Sequence, residues 1–120
     1  MNRLMIASSI VFAALALQAA DKKKPAIQAS CNIVAKSTCL DYAGVSAQDL
    51  ATSRSDCAKG AAEGGLGGSW AEGKACPTGG RVGRCVHSVM GMENTTHTYS
   101  GTAAQAQTMC QMSNGVWTPG

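Results

Sequence analysis

Between His87 and His97 the chain reads His87-Ser-Val-Met90-Gly-Met92-Glu-Asn-Thr-Thr-His97, which sets two thioethers and two imidazoles close together. Thioether and imidazole are ligands that copper selects, and a hairpin would bring the ends of this stretch towards each other. His87, Met90, Met92 and His97 are therefore the weak candidate metal ligands. They are sparse, and no neighbouring residue is spaced to orient either imidazole, so no metal and no cofactor is expected as the first reading. Other chemistry is harder to find. A Ser-His-acid hydrolase needs a base beside a nucleophile, and Ser69 in Gly68-Ser-Trp70 lacks the glycine spacing of a nucleophile elbow. Asp41, Asp49, Asp56, Glu63, Glu72 and Glu93 are scattered and are expected on a solvated surface, as are Arg81 and Arg84. The glycines of 64–68 are not followed by Lys-Ser/Thr, so they form no phosphate loop. No catalytic residue is assigned, and the chain is not expected to be an enzyme.

Cys31, Cys39, Cys57, Cys76, Cys85 and Cys110 form an even set with no C-x-x-C spacing. The usual redox, zinc-ribbon and c-type haem motifs use that spacing, so these cysteines read as structural disulfides. Spacing alone does not choose their pairing.

A weak internal repeat supplies the elements that hold them. From Tyr42 the sequence runs Tyr42-Ala-Gly44, Ser46-Ala-Gln-Asp49, Cys57 and Gly68-Ser-Trp70-Ala-Glu-Gly73. From Tyr99 it runs Tyr99-Ser-Gly101, Thr102-Ala-Ala-Gln105, Cys110 and Gly115-Val-Trp117-Thr-Pro-Gly120. Ser46 and Thr102 are helix N-caps; Gln105 completes a capping box, and Asp49 suits the positive end of the helix dipole. Ala106, Met109, Cys110 and Ser113 fall on one helical face, as Leu50, Cys57 and Ala61 do more loosely. Met109 and Met112 are expected as core filler, and Asn114-Gly115 as a helix stop. Strands are expected over 32–35 with 38–42, and over 82–89 with 96–99, the second pair joined by a longer turn containing Gly91 and Asn94. The first copy's extra residues, Ala61 to Gly68, read as a flexible insertion. The predicted fold class is α+β: a small disulfide-stapled single domain made of two strand–strand–helix–strand units.

Equivalent copies should carry equivalent bridges. Cys57 and Cys110 are the helix cysteines, while Cys31 and Cys85 open the first strand of each copy. Pairing strand to helix gives Cys31–Cys57 and Cys85–Cys110. Thr96 aligns with Cys39 in this reading, so Cys39 and Cys76 have no counterparts and are left to each other.

The N-terminus has another purpose. Arg3 precedes an apolar run from Ile6 to Leu17, small residues follow at Ala19 and Ala20, and Asp21-Lys-Lys-Lys-Pro25 ends it. This is the pattern of a secretory signal peptide over 1–20, with the mature chain starting at Ala20 or Asp21, a disordered lead over 21–27 and a disulfide-rich domain over 28–120. The run is shorter than the roughly 18 residues a membrane span needs, and no later segment reaches that length, so no transmembrane helix is expected after signal cleavage. Export, to a periplasm or outside the cell, would put the cysteines where disulfides persist. The staples are needed: from Ile27 onward only 19 of 94 residues are Leu, Ile, Val, Met, Trp or Tyr, a thin core for a domain of this size. The formal charge of +3 comes from Arg3 and Lys22 to Lys24, leaving the remainder near neutral and giving nucleic-acid binding no basic face.

The pattern Cys31…Cys39-Leu-Asp-Tyr42…Cys57…Gly68-x-Trp70…Ala75-Cys-Pro77…Val82-Gly-x-Cys85…Thr98-Tyr…Cys110…Gly115-x-Trp117 resembles that of uncharacterised small secreted cysteine-containing bacterial proteins. It spans roughly Cys31 to Trp117. Asn114 stands where such proteins often have a second glycine. The resemblance implies an exported single domain of bacterial type and carries over no catalytic residue.

The leading expectation is a non-enzymatic exported module that binds a protein or envelope component, or serves as a structural component. One alternative is an extracytoplasmic copper-handling protein using the 87–97 loop. Another is a secreted inhibitor or toxin, with 61–68 or 91–96 as its contact loop.

Overall fold

A computed structural model describes residues 25–120 of the chain. The expected signal peptide, and residues 21–24 of the expected lead, lie outside the described residues. The first half forms β1 (Ile27–Ile33), a 3-10 turn (Val34–Lys36), β2 (Thr38–Ala43), α1 (Ala47–Ala58), a second 3-10 turn (Ala61–Glu63) and β3 (Ser69–Glu72). The second forms β4 (Gly83–Val89), β5 (Met92–Thr98), α2 (Ala103–Met112) and β6 (Val116–Pro119). All strands pair antiparallel in one six-stranded sheet of order β3-β1-β2-β5-β4-β6. The fold is α+β, two strand–strand–helix–strand units side by side, joined where β2 pairs with β5.

The register shows how closely the units correspond. Cys31 lies opposite Leu40 and Trp70, and Cys85 lies opposite Thr96 and Trp117. Leu40 and Thr96 are themselves directly opposed across the β2–β5 seam. A pseudo-two-fold axis therefore passes between them, perpendicular to the sheet. Side chains alternate along strands, so Cys31, Leu40, Thr96 and Cys85 share one face, and both helices are tied to that face.

Three disulfides staple the domain: Cys31–Cys57, Cys39–Cys76 and Cys85–Cys110. The first and third join the first strand of each unit to its helix, the pairs that matching the two copies gives. The cysteines are also much of the core, supplying six of the ten buried apolar residues among those described. The N-caps are equivalent too: Ser46 Oγ accepts from the Asp49 N–H, and Thr102 Oγ1 from the Gln105 N–H, both at 3.2 Å.

The repeated Gly-x-Trp-x-x-Gly acquires a physical reason. The Gly68 N–H donates to the Cys57 carbonyl at 2.7 Å, and the Gly115 N–H to the Cys110 carbonyl at 2.9 Å, closing the end of each helix. A Cβ on Gly68 would meet Cys31 Sγ at 2.6 Å, and one on Gly115 would meet Cys85 Sγ, so each glycine lies directly on its unit's disulfide. The tryptophan two residues on then faces the strand cysteine. The closing glycines also match, with Gly73 N–H donating to Gln28 O and Gly120 N–H to Val82 O.

Several elements differ from the sequence-based expectation. β1 starts at Ile27, inside the expected lead, because Gln28 is anchored: its side-chain amide donates to Val45 O at 2.9 Å and accepts from Val45 N–H at 2.8 Å. The β4–β5 connection is a two-residue turn, Met90-Gly91, and Asn94 is inside β5. Residues 61–68 are not a loose insertion, since the N–H groups of Leu66, Gly67 and Gly68 all bond back to α1 or its C-cap. Met109 and Met112 are exposed rather than core, Met109 at 71%. Most consequential is Tyr99. By sheet position Thr98, not Tyr99, matches Tyr42, and Thr96 matches Leu40 rather than Cys39. A slip of one residue puts a strand side chain on the opposite face. Tyr42 therefore packs under α1, 5.4 Å from the Trp70 ring, while Tyr99 stacks on His97 on the other side of the sheet.

No helix among the described residues is long and apolar enough to cross a membrane.

Candidate functional site

That slip leaves a space. In the first unit the layer between helix and sheet is filled by Cys31, Ile33, Tyr42 and Cys57, with Leu40, Val45, Leu50, Leu66 and Trp70 packed around them. The register matches Ile33 with His87, Leu40 with Thr96 and Tyr42 with Thr98. Each substitution shortens or polarises a core side chain. The helix contributes little to replace them: counted from the N-caps, α2 has Ala106 where α1 packs Leu50 against its cluster. The result is a groove of about 460 Å³ between α2 and the sheet, reaching across the seam to Thr38 of β2. Its size falls in the range of about 300–1,000 Å³ typical of small-molecule sites.

The sheet supplies Thr38, Thr96, Thr98 and His87 as its floor, the segment entering α2 supplies Ser100 and Thr102, and α2 itself supplies Gln105, Ala106 and Met109. The Cys85–Cys110 bridge and Trp117 close one side. The indole is held by the absence of a side chain at Gly83, where any Cβ would collide with it. His87 is oriented from α2's C-cap. Ser113 Oγ donates to the Cys110 carbonyl at 2.9 Å and accepts from His87 Nε2 at 2.9 Å. Among the described residues, no Asp, Glu, Lys or Arg lines the groove. It therefore offers neutral hydrogen bonding beside apolar surface and no fixed counter-charge.

A second polar cluster lies on the opposite face, under the 73–82 link between the units. Asp41, expected on the surface, and His97, a weak candidate metal ligand, are both buried, at 5% and 4% exposure. Asp41 Oδ2 lies 2.7 Å from His97 Nε2, and Oδ1 accepts from the Cys76 N–H at 2.8 Å. Arg81, also expected outside, reaches His97 Nδ1 with its Nη1 at 3.2 Å. A guanidinium can only donate, so Nδ1 accepts, and the ring proton sits on Nε2 facing Asp41. Arg81 Nε is buried without a partner. Tyr99 completes the cluster by donating to Pro77 O at 2.6 Å. Burial first, and then the Asp41 charge, push the Tyr99 phenol above its ordinary value. Asp41, Cys76 and His97 have ligand atoms close enough to share a metal ion, but Cys76 Sγ is bonded to Cys39. With its sulfur in a disulfide, the trio lacks a thiolate. The cluster clamps the link to the seam. The sequence reading missed it; the one signal is strand parity, which puts Asp41 on the face of Cys39, whose direct cross-strand neighbour in the structure is His97.

The four copper candidates are not brought together. His87 and His97 lie on opposite faces of the β4–β5 hairpin, each already hydrogen-bonded, and Met90 stands at the tip, 97% exposed. The hairpin brings its strands into register, but a separation of ten residues across a two-residue turn puts the histidines on opposite faces: His87 pairs with Asn94, which shares a face with Thr96 and not with His97. The two expected contact loops are also unlike free loops, 61–68 being hydrogen-bonded to α1 and 92–96 lying within β5.

No protein-family model matches this chain, and neither the curated proteins nor the solved structures contain a significant match to it.

Proposed function

We propose that this protein is a non-enzymatic exported binding module whose ligand site is the groove under α2. The observation that carries the reading is the contrast between two equivalent units. One has its helix–sheet layer packed with Ile33, Leu40 and Tyr42, and the other replaces these with His87, Thr96 and Thr98 around an open groove. The packed unit and three bridges supply a rigid frame, which lowers the ordering cost of binding. Support for a non-enzymatic role comes from the groove's composition: one imidazole already engaged with Ser113, and no carboxylate, cation or thiol beside it among the described residues. Support for export comes from the three disulfides and from the leader-like N-terminal sequence.

The test is a screen of a small-molecule fragment library by NMR on the oxidised protein. Binders should shift the Trp117 indole and the Thr96 and Thr98 methyl resonances, and lose that effect in Thr98→Tyr. Binders whose shifts map elsewhere, or that bind Thr98→Tyr equally well, would overturn the reading.

A further inference from the structure

Resting on the groove as the binding site, we infer that its ligand is an uncharged polyhydroxylated molecule, a neutral sugar ring. Three properties of the site select this class. First, none of the described residues lining the groove carries a fixed charge. A charged ligand would lose hydration without gaining a counter-ion, which disfavours amino acids, phosphates and uronic acids. Second, the floor is dense in hydroxyls. Thr96 and Thr98 on the floor and Ser100 in the segment entering α2 present hydroxyls to it, and Gln105 adds an amide. Each hydroxyl both donates and accepts, and an amide offers both, so the set suits a ligand whose own groups do the same on adjacent carbons. A flat apolar ligand would leave these groups dry and unpaired. Third, Trp117 borders the hydroxyl floor. The negative face of an indole attracts the weakly positive C–H groups that one side of a sugar ring presents.

The groove is also built differently from a packing defect. A defect in a core is lined by aliphatic residues, whereas here two of the matched replacements, His87 for Ile33 and Thr96 for Leu40, add hydrogen-bonding atoms, and the third, Thr98 for Tyr42, keeps a hydroxyl while removing the ring.

The experiment titrates the oxidised full-length mature protein, followed by ¹H–¹⁵N and methyl NMR, with methyl glycosides of neutral hexoses and of N-acetylhexosamines. Glucuronate, glucosamine, glycine and indole serve as charged and apolar comparators. A neutral glycoside should saturate shifts at Trp117, Thr96 and Thr98, with the comparators silent. Thr96→Val and Thr98→Val keep side-chain shape while removing one hydroxyl each, and each should weaken binding by about three- to tenfold. Thr98→Tyr should abolish it. Comparators that bind in the groove in place of the glycosides would overturn the sugar assignment while leaving the groove as the site. Glycosides that bind with shifts away from the groove, unaffected by Thr98→Tyr, would overturn the groove itself. Silence from every glycoside would overturn the sugar assignment, and the fragment screen would then decide the groove alone. Full affinity in both valine variants would show that the hydroxyls do not select the ligand.

Discussion

Replacing His87→Ile, Thr96→Leu and Thr98→Tyr together writes the first unit's core residues into the second. If the space under α2 is a vacated core, this variant should be more stable than the natural chain. Burying a large apolar side chain is worth about 1.5–3 kcal/mol relative to exposing it. Part of that already exists, since each threonine carries a methyl, and the groove is open rather than sealed, so roughly 1 kcal/mol is new at each position. The His87–Ser113 hydrogen bond is lost, and some misfit is expected where Tyr meets the Trp117 indole; together these cost about 1–2 kcal/mol. The net gain is then about 1–2 kcal/mol. For a domain of this size each kcal/mol moves Tm by about 4–8 °C, so calorimetric unfolding of the oxidised protein should shift upward by about 5–15 °C. The same protein should no longer respond to groove ligands. An unchanged or lower Tm, with the three bridges mapped intact, would refute the idea that the second unit is a hollowed copy of the first.

The bridges close loops with sequence separations of 26, 37 and 25 residues. Each is worth about 3.5 kcal/mol in the chain-entropy model, so reduction should unfold the domain at room temperature by circular dichroism, and native-like spectra after full reduction would contradict this. Gly68→Ala and Gly115→Ala should each destabilise by about 1–3 kcal/mol in urea unfolding, because the new methyl collides with a disulfide sulfur; a loss below a few tenths would show that the bridge can move aside. Burial, and then Asp56, raise the Tyr42 phenol, and burial, and then Asp41, raise Tyr99. Phenols raised on folding favour the native state below the ordinary pKa near 10. That contribution should fade as the pH rises through the higher folded values, so ultraviolet phenolate titration should run late in the native protein and coincide with falling stability. Competition titration with Cu(I) and Cu(II) should give no stoichiometric complex; a tight complex lost in Met90→Ala/Met92→Ala would restore the copper reading.

The architecture was readable because its signals are short-range or paired. Ser46 and Thr102 cap what their spacing says they cap, and the two Gly-x-Trp motifs mark the same juncture in each unit. Strand faces were less readable. Tyr42 and Tyr99 look equivalent as letters, but one extra position in the second unit reverses the side to which the tyrosine points. The sequence comparison therefore missed both the groove and the Tyr99–His97 stack. Asp41, His97 and Arg81 look like solvated residues until the 73–82 link, pinned by Cys39–Cys76, is laid over them. Met109 has helical spacing suitable for a core, but the sheet beneath it offers threonine hydroxyls instead of a closed apolar surface.

The axis between Leu40 and Thr96 has one more consequence. Under that rotation Asp41 and His97 exchange places, so the buried pair is formed by two images of a single position. Two identical units meeting across the same seam would set carboxylate against carboxylate, or imidazole against imidazole, with no matching donor and acceptor. Only unlike halves satisfy the junction. Joining them in one polypeptide guarantees that each half meets its complement, and it blocks self-association of either half through its exposed strand edge.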